Sequence, residues 1–374
     1  MIAKTEYKKI LIIRNDRLGD CILSTPAAEA IKKIYPAASI DILTTQYTKD
    51  VFTDNPFISE VLIDDSIDRL IFSAKFISLV SKVKSKKYDA AFILHMNARA
   101  ALIPFLAGIP ARTAPASKVY QFLANRRIHQ KRSACLMNEA EYNLELIKSS
   151  CGINFENPPA RLFFSKSDEE IARHELNLAA ESAYSETLEE MKINNKRLVM
   201  VHPGSGGSAL NMKKENYVKL IELLNDSGYR VFLSTGPAEN NLKNDILSQL
   251  SFKPISFEPS IFVKTPSLKK TFALISLCDA VIAPSTGVMH AASALNKPVV
   301  TLFCPIFVCT PKRWGPYMAQ KCSIIKPEFM TDEKSNMAGG QYCKRCLREK
   351  CPHFNCMDKI SEKLILSEMK NLLK

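Results

Sequence analysis

The chain has 374 residues, of which 46% are apolar; that is long for one hydrophobic core, natural for two, and far from the composition of a disordered protein. Its apolar stretches, such as 298–309, fall well short of the roughly 20 residues that span a bilayer, and the run at 10–13 is shorter than the about 7–15 residues of a secretory leader, so a cytoplasmic protein is expected. The net charge of +13 favours an anionic partner; the lysines are scattered and no nucleic-acid motif stands among them, so a phosphorylated ligand or an anionic membrane face is expected and a nucleic acid is not.

Residues 9–13 read as a strand, 15–20 as a polar loop with one glycine, and 26–34 as an amphipathic helix with Ala27, Ala30, Ile31 and Ile34 on one side. Strands follow at 39–43 and 61–63, a helix at 71–83 and a strand at 90–94. Residues 118–138 are basic and polar with little periodicity, and 139–150 read as a helix. Two prolines within 157–160 mark a boundary, followed by a charged helix over 167–192. The alternation then restarts, with strands at 198–201, 230–234, 280–283 and 299–303 and helices at 214–224, 266–277 and 289–295. Strand and helix alternating in this way predict parallel sheets with helices on both faces, formed twice. The expected domains are 1–180, 181–356 with a cysteine-rich tail, and a closing helix at 357–374 that packs back on the first domain.

The segment 199–216 carries the strongest local signal: a buried strand, then a loop holding Ser205, Gly206 and Gly207, then a helix. Such a loop exposes backbone N–H groups, and at a helix start these bind phosphate. A second turn of the kind stands at Thr286-Gly287. Two anion-binding turns in one α/β half predict a nucleotide diphosphate, although each taken alone also reads as an ordinary tight turn. No Walker-type lysine accompanies the first, so it is not a P-loop. Ligands of open α/β sheets bind beyond the carboxyl ends of the strands, which places the chemistry in a cleft between the two domains.

Read together, the motifs 10–20, Ser24-Thr25-Pro26-Ala27, Asn97-Ala98-Arg99, 105–112, 202–207, 235–239 and 285–295 resemble glycosyltransferase family 9, the ADP-heptose:lipopolysaccharide heptosyltransferases, and most of all those adding the second heptose. The resemblance runs nearly end to end. It implies an α/β GT-B fold, two Rossmann-like domains facing each other across a cleft. It also implies an inverting transfer of heptose from ADP-heptose, or a related nucleotide sugar, to the lipopolysaccharide core at the inner face of the cytoplasmic membrane. Two alternatives stay open: a family member using another sugar nucleotide, and a non-catalytic sugar-nucleotide-binding protein.

The resemblance makes Asp20 the catalytic base; by position alone it reads equally as a helix N-cap. Asp16 reads as a solvated loop residue. Ser205, Gly206, Gly207, Thr286 and Gly287 are expected on the diphosphate, with the helix dipole adding to the second turn. His290 either reaches the ligand or packs against the loop. Glu239 is a candidate for the ribose hydroxyls or a first-turn helix carboxylate. Arg14, Arg99 and Arg112 are acceptor candidates or surface residues, since arginine suits bidentate binding of phosphates and acidic sugars. Two departures stand out. Ser285 replaces an aspartate common in the family, and 210–213 lacks the cation found before a Trp-Pro pair in many members, for which Lys213 or Lys214 is a substitute.

Of eleven cysteines, four cluster at Cys343, Cys346, Cys351 and Cys356, with His353 as an alternate ligand. Structural zinc, reduced thiols and disulfides all suit the spacing; the other seven cysteines read as small buried hydrophobes. No cofactor is required for the chemistry, and magnesium is at most a helper.

Overall fold

The computed structural model describes residues 6–64, 73–207, 209–236, 238–257, 267–327 and 343–374. They form two compact units, Met1–Phe163 and Phe164–Lys374. The first holds strands β1 (Lys9–Ile13), β2 (Ser39–Thr44), β3 (Glu60–Ile63), β4 (Ala90–Ile93), β5 (Ala111–Pro115) and β6 (Arg126–Ile128), all parallel, in the order β3-β2-β1-β4-β5-β6. β1 lies inside the sheet with Ile12 opposite both Ile42 and Phe92. A strand covered on both faces must be apolar throughout, and Ile10, Leu11, Ile12 and Ile13 are fully buried.

Helices α1 (Leu18–Ile22), α2 (Thr25–Ile34), α3 (Ala74–Ser85), α4 (Ala98–Leu106) and α5 (Glu139–Cys151) complete this unit. The four residues expected on the inner face of α2 are all buried. Asp20 lies inside α1, whose N-cap is Arg17, so the capping role is ruled out and the polar loop is shorter than expected. β5 is not among the expected strands, and β6 lies in the stretch read as irregular. β6 is short and Arg126-Arg127 breaks any alternation, so backbone pairing with β5 at the sheet edge, not side-chain pattern, makes it a strand.

The second unit holds β7 (Leu198–Val201), β8 (Arg230–Leu233), β9 (Ala280–Pro284), β10 (Val299–Leu302) and β11 (Cys322–Ile325), parallel in the order β11-β10-β9-β7-β8. Its helices are α6 (Lys166–Tyr184), α7 (Leu188–Ile193), α8 (Lys214–Asp226), α9 (Asn240–Leu247), α10 (Leu268–Leu277), α11 (Gly287–Ala294), α12 (Pro311–Trp314) and α13 (Glu362–Leu372). The single helix expected over 167–192 is two. Ser185 ends α6 in the left-handed region at φ 54°, and Thr187 starts α7 in a reciprocal capping box with Glu190. The expected helices at 71–83 and 266–277 begin outside the described residues.

The division falls at 163/164 rather than 180/181, because α6 packs along α10 of the second unit. The closing helix α13 packs on α8, β10 and β11, with Ile365, Leu366 and Met369 in the second unit's core. Each such side chain contributes roughly 1.5–3 kcal/mol when fully buried. Among the described residues no helix is long and apolar enough to cross a membrane.

Both sheets are doubly wound. Strand order reverses between β1 and β4 in the first unit and between β7 and β9 in the second. Crevices open at such reversals, beyond the carboxyl ends of the strands.

Candidate active site

Arg14 follows β1 at the first reversal and is 1% exposed. Its Nη2 donates to Asp20 Oδ1 at 2.5 Å, its Nε to Asp16 Oδ1 at 2.8 Å and its Nη1 to Glu139 Oε1 at 3.3 Å. Glu139, at the start of α5, also accepts from Arg132 Nη1 at 2.6 Å. His95, just past β4, brings Nδ1 to 3.4 Å from Asp16 Oδ2. Three carboxylates thus share two guanidiniums. Burial opposes the Arg14 charge, but Asp16, Asp20 and Glu139 outweigh it and raise its pKa. Burial also pushes the Asp20 carboxyl up, to about 6, with Arg14 pulling it down and the charges of Asp16 and Glu139 pushing it further up. Partial burial lowers the His95 pKa against the attraction of Asp16. The carboxyl of Asp20 is therefore poised to take or give a proton near neutrality.

The arginines proposed for an acceptor have internal partners. Arg14 is enclosed by carboxylates. Arg99, at the start of α4, makes a two-pronged pair with buried Asp64 and lies over the Phe76 ring. Arg112 donates to the carbonyls of Ile109 and Leu123 and stacks on Phe105. Asp16 is paired and largely buried, not a solvated loop residue. Glu139 and His95 went unnoticed in the sequence: one opens a helix and the other ends a strand, with no local pattern to mark either.

In the second unit, β7 runs into the loop at 202–213. Gly206 and Gly207 take φ of 51° and 72°, a conformation glycine adopts without strain. Glu239, at the N-cap position of α9, joins this loop to the next: Oε1 accepts the Gly206 N–H at 2.9 Å and Oε2 the Gly236 N–H at 2.8 Å. A Cβ on Gly204 would overlap Oε2, and one on Gly236 would lie 3.0 Å from it. The loop's anion-binding capacity is thus in part met by a carboxylate of the chain. Buried His202, beside Ser234 Oγ at 3.4 Å, has its pKa lowered by burial against the pull of Glu239. Lys213 and Lys214 pair with Asp358 and Asp245.

The second turn follows β9, across the reversal from β7. Thr286 caps α11 by its backbone only. Its Oγ1 is buried without a hydrogen-bond partner, as is Nδ1 of His290 one turn on. Burial pushes the His290 pKa down to about 4, so the ring is neutral. A buried polar atom left unpaired costs about 1–3 kcal/mol. Both lie at the start of a helix, the kind of place where backbone N–H groups favour anions.

The four tail cysteines and His353 line a cavity of about 180 Å³ behind 305–306, with Cys343 bridged to Ile306. Thiols suit zinc, but among the described residues no three His, Cys, Asp or Glu side chains converge closely enough to hold a metal ion. None of the four forms a disulfide. Buried Cys304 is no simple hydrophobe: a bond from Cys309 and nearby backbone donors hold its thiol low, at about 6.

Two doubly wound units of this kind are the domain plan of the GT-B glycosyltransferases, and solved GT-B heptosyltransferases share the fold. Residues 76–338 match the profile of glycosyltransferase family 9 (heptosyltransferase). The chain belongs to that family and is a glycosyltransferase. A Haemophilus influenzae protein named as a glycosyltransferase is 31% identical over 83% of this chain and 86% of its own. Lipopolysaccharide heptosyltransferase 2 of Escherichia coli K12 is 26% identical over 85% of this chain and 88% of its own. Among solved structures, the family 9 glycosyltransferase of Veillonella parvula superposes with a TM-score of 0.78 at 20% identity, covering 99% of this chain and 98% of the other. The E. coli ADP-heptose heptosyltransferase II gives 0.74 at 22% identity, with 98% of each chain covered.

Proposed function

We propose that the chain moves a heptose from ADP-heptose to the inner core of lipopolysaccharide, with inversion at the anomeric carbon, as a peripheral protein of the inner face of the cytoplasmic membrane. Asp20 takes the proton of the acceptor hydroxyl as that oxygen attacks the anomeric carbon. The bond to the diphosphate breaks on the opposite face, and its electron pair stays on the leaving phosphate. Developing charge there is met by the 205–207 loop, by the Thr286 hydroxyl and Gly287 N–H, and by His290. Each Glu239 oxygen keeps lone-pair capacity beyond its amide bond, enough to accept from the ribose hydroxyls.

The observation that carries this reading is the Asp20 carboxyl, anchored by Arg14 beyond β1 and raised to about 6. Kinship with lipopolysaccharide heptosyltransferase 2 supports the donor and the acceptor. Ser285, where many members carry aspartate, favours a second reading, transfer from a different nucleotide sugar. Magnesium is proposed as at most a helper for the diphosphate, which turnover with and without a chelator tests; the tail thiols take no part in the chemistry, and the metal content of the purified protein tests whether they hold structural zinc.

The deciding experiment offers ADP-, UDP-, GDP- and CDP-sugars with a heptose-deficient core acceptor and follows the product's anomeric configuration. The expected result is transfer from ADP-heptose with inversion. Transfer from another donor selects the second reading, and nucleotide binding without transfer or hydrolysis leaves a binding protein.

A further inference from the structure

Between Asp89 and Glu139 the sequence has no carboxylate but seven arginines and lysines: Arg99, Arg112, Lys118, Arg126, Arg127, Lys131 and Arg132. Arg99, Arg112 and Arg132 have the internal partners described above. Lys118, Arg127 and Lys131 are exposed, and among the described residues no carboxylate pairs with them. This same stretch shows the solvent an apolar surface. The single 3₁₀ turn Val119–Leu123 is anchored by Leu123, 7% exposed in the core, while Val119 and Phe122 are 72% and 68% exposed. The end of α4 packs beside it and adds Phe105 and Leu106, 44% and 42% exposed. Arg112 fastens the two together through the Leu123 carbonyl and the Phe105 ring.

We propose that the Val119–Leu123 turn, with the end of α4, is a docking surface for an anionic lipid bilayer. Large apolar side chains projecting from a fixed turn enter the boundary between headgroups and acyl chains, and Lys118 next to them, with Arg127 and Lys131 further along the same carboxylate-free stretch, meets lipid phosphates. The absence of carboxylates over the whole stretch removes the repulsion that an anionic surface would otherwise exert. A contiguous exposed apolar patch is costly on a protein that stays in water. The inference rests on the proposed reading insofar as a lipid-borne acceptor obliges the enzyme to work at a membrane.

The test is co-sedimentation with vesicles of phosphatidylethanolamine and phosphatidylglycerol, against vesicles of phosphatidylcholine alone. Wild type should bind the anionic vesicles, release at high salt, and leave phosphatidylcholine untouched. V119S/F122S and, separately, K118E/R127E/K131E should each weaken partitioning by roughly tenfold or more. Both should keep the wild-type melting temperature and wild-type turnover of a lipid-free core oligosaccharide. Wild type that ignores anionic vesicles, or variants that bind as well as wild type, would overturn the proposal. So would a wild-type dimer in sedimentation velocity that V119S/F122S dissolves, because the patch would then face a second copy of the chain. Vesicle binding as expected with no transfer to any acceptor would leave the docking surface standing and remove the proposed reaction instead.

Discussion

The two strand-order reversals occupy equivalent places in their sheets and hold opposite chemistry. After β1, three carboxylates and two guanidiniums bond to one another, and the product is one carboxyl with a raised pKa. After β9, a threonine hydroxyl and the Nδ1 of a neutral histidine lie buried and unpartnered at the start of a helix. The first spends its polar groups on one another; the second leaves two without a partner. On the proposed reading, domains with one common plan divide the labour of a transfer reaction through what each lets its side chains bond to.

Substitutions at the two places should therefore fail differently. The largest effect is expected from Asp20→Asn: turnover falls by roughly 10²–10⁴, while ADP affinity by calorimetry stays near wild type. Loss of affinity with little loss of turnover would erase the distinction. Arg14→Met should leave the buried carboxylates uncompensated and cost about 3–5 kcal/mol of stability in urea unfolding. Thr286→Val should do the reverse. ADP binding weakens by roughly tenfold as a bond to a charged phosphate is lost, while thermal stability holds or rises, because an unpaired hydroxyl is removed. The smallest effect concerns pH. With Asp20 at about 6, turnover should rise as pH climbs through that value. The Glu139 charge helps push the carboxyl up, so Glu139→Gln should move the acid limb to lower pH. Linkage has the opposite sign: the fold binds the Asp20 proton more tightly than the unfolded chain does. Its contribution to stability is therefore present at low pH and lost as pH rises from about 4 to about 6.

The alternation of apolar runs made both sheets legible, because buried parallel strands must be apolar and their helices must be amphipathic. The two glycine-bearing turns after β7 and β9 were legible as turns, because glycine marks a sharp change of direction after an apolar strand. What stayed hidden was partnership over long sequence distances. Arg14 reads as a cation for a ligand until α5 brings Glu139 and Asn143 beside it. Arg99 reads the same way until the end of β3 delivers Asp64. Nor does a sequence show that Glu239 spans two loops, since its partners are backbone amides that every residue but proline possesses.

That carboxylate has a dynamic consequence. One side chain holds the Gly206 and Gly236 N–H groups, and the space it fills is kept vacant by the missing methyl at Gly204. Deuterium can reach either amide only when the same acid lets go, so the two protons should exchange at a shared rate set by one opening event. Two loops far apart along the chain would then breathe together.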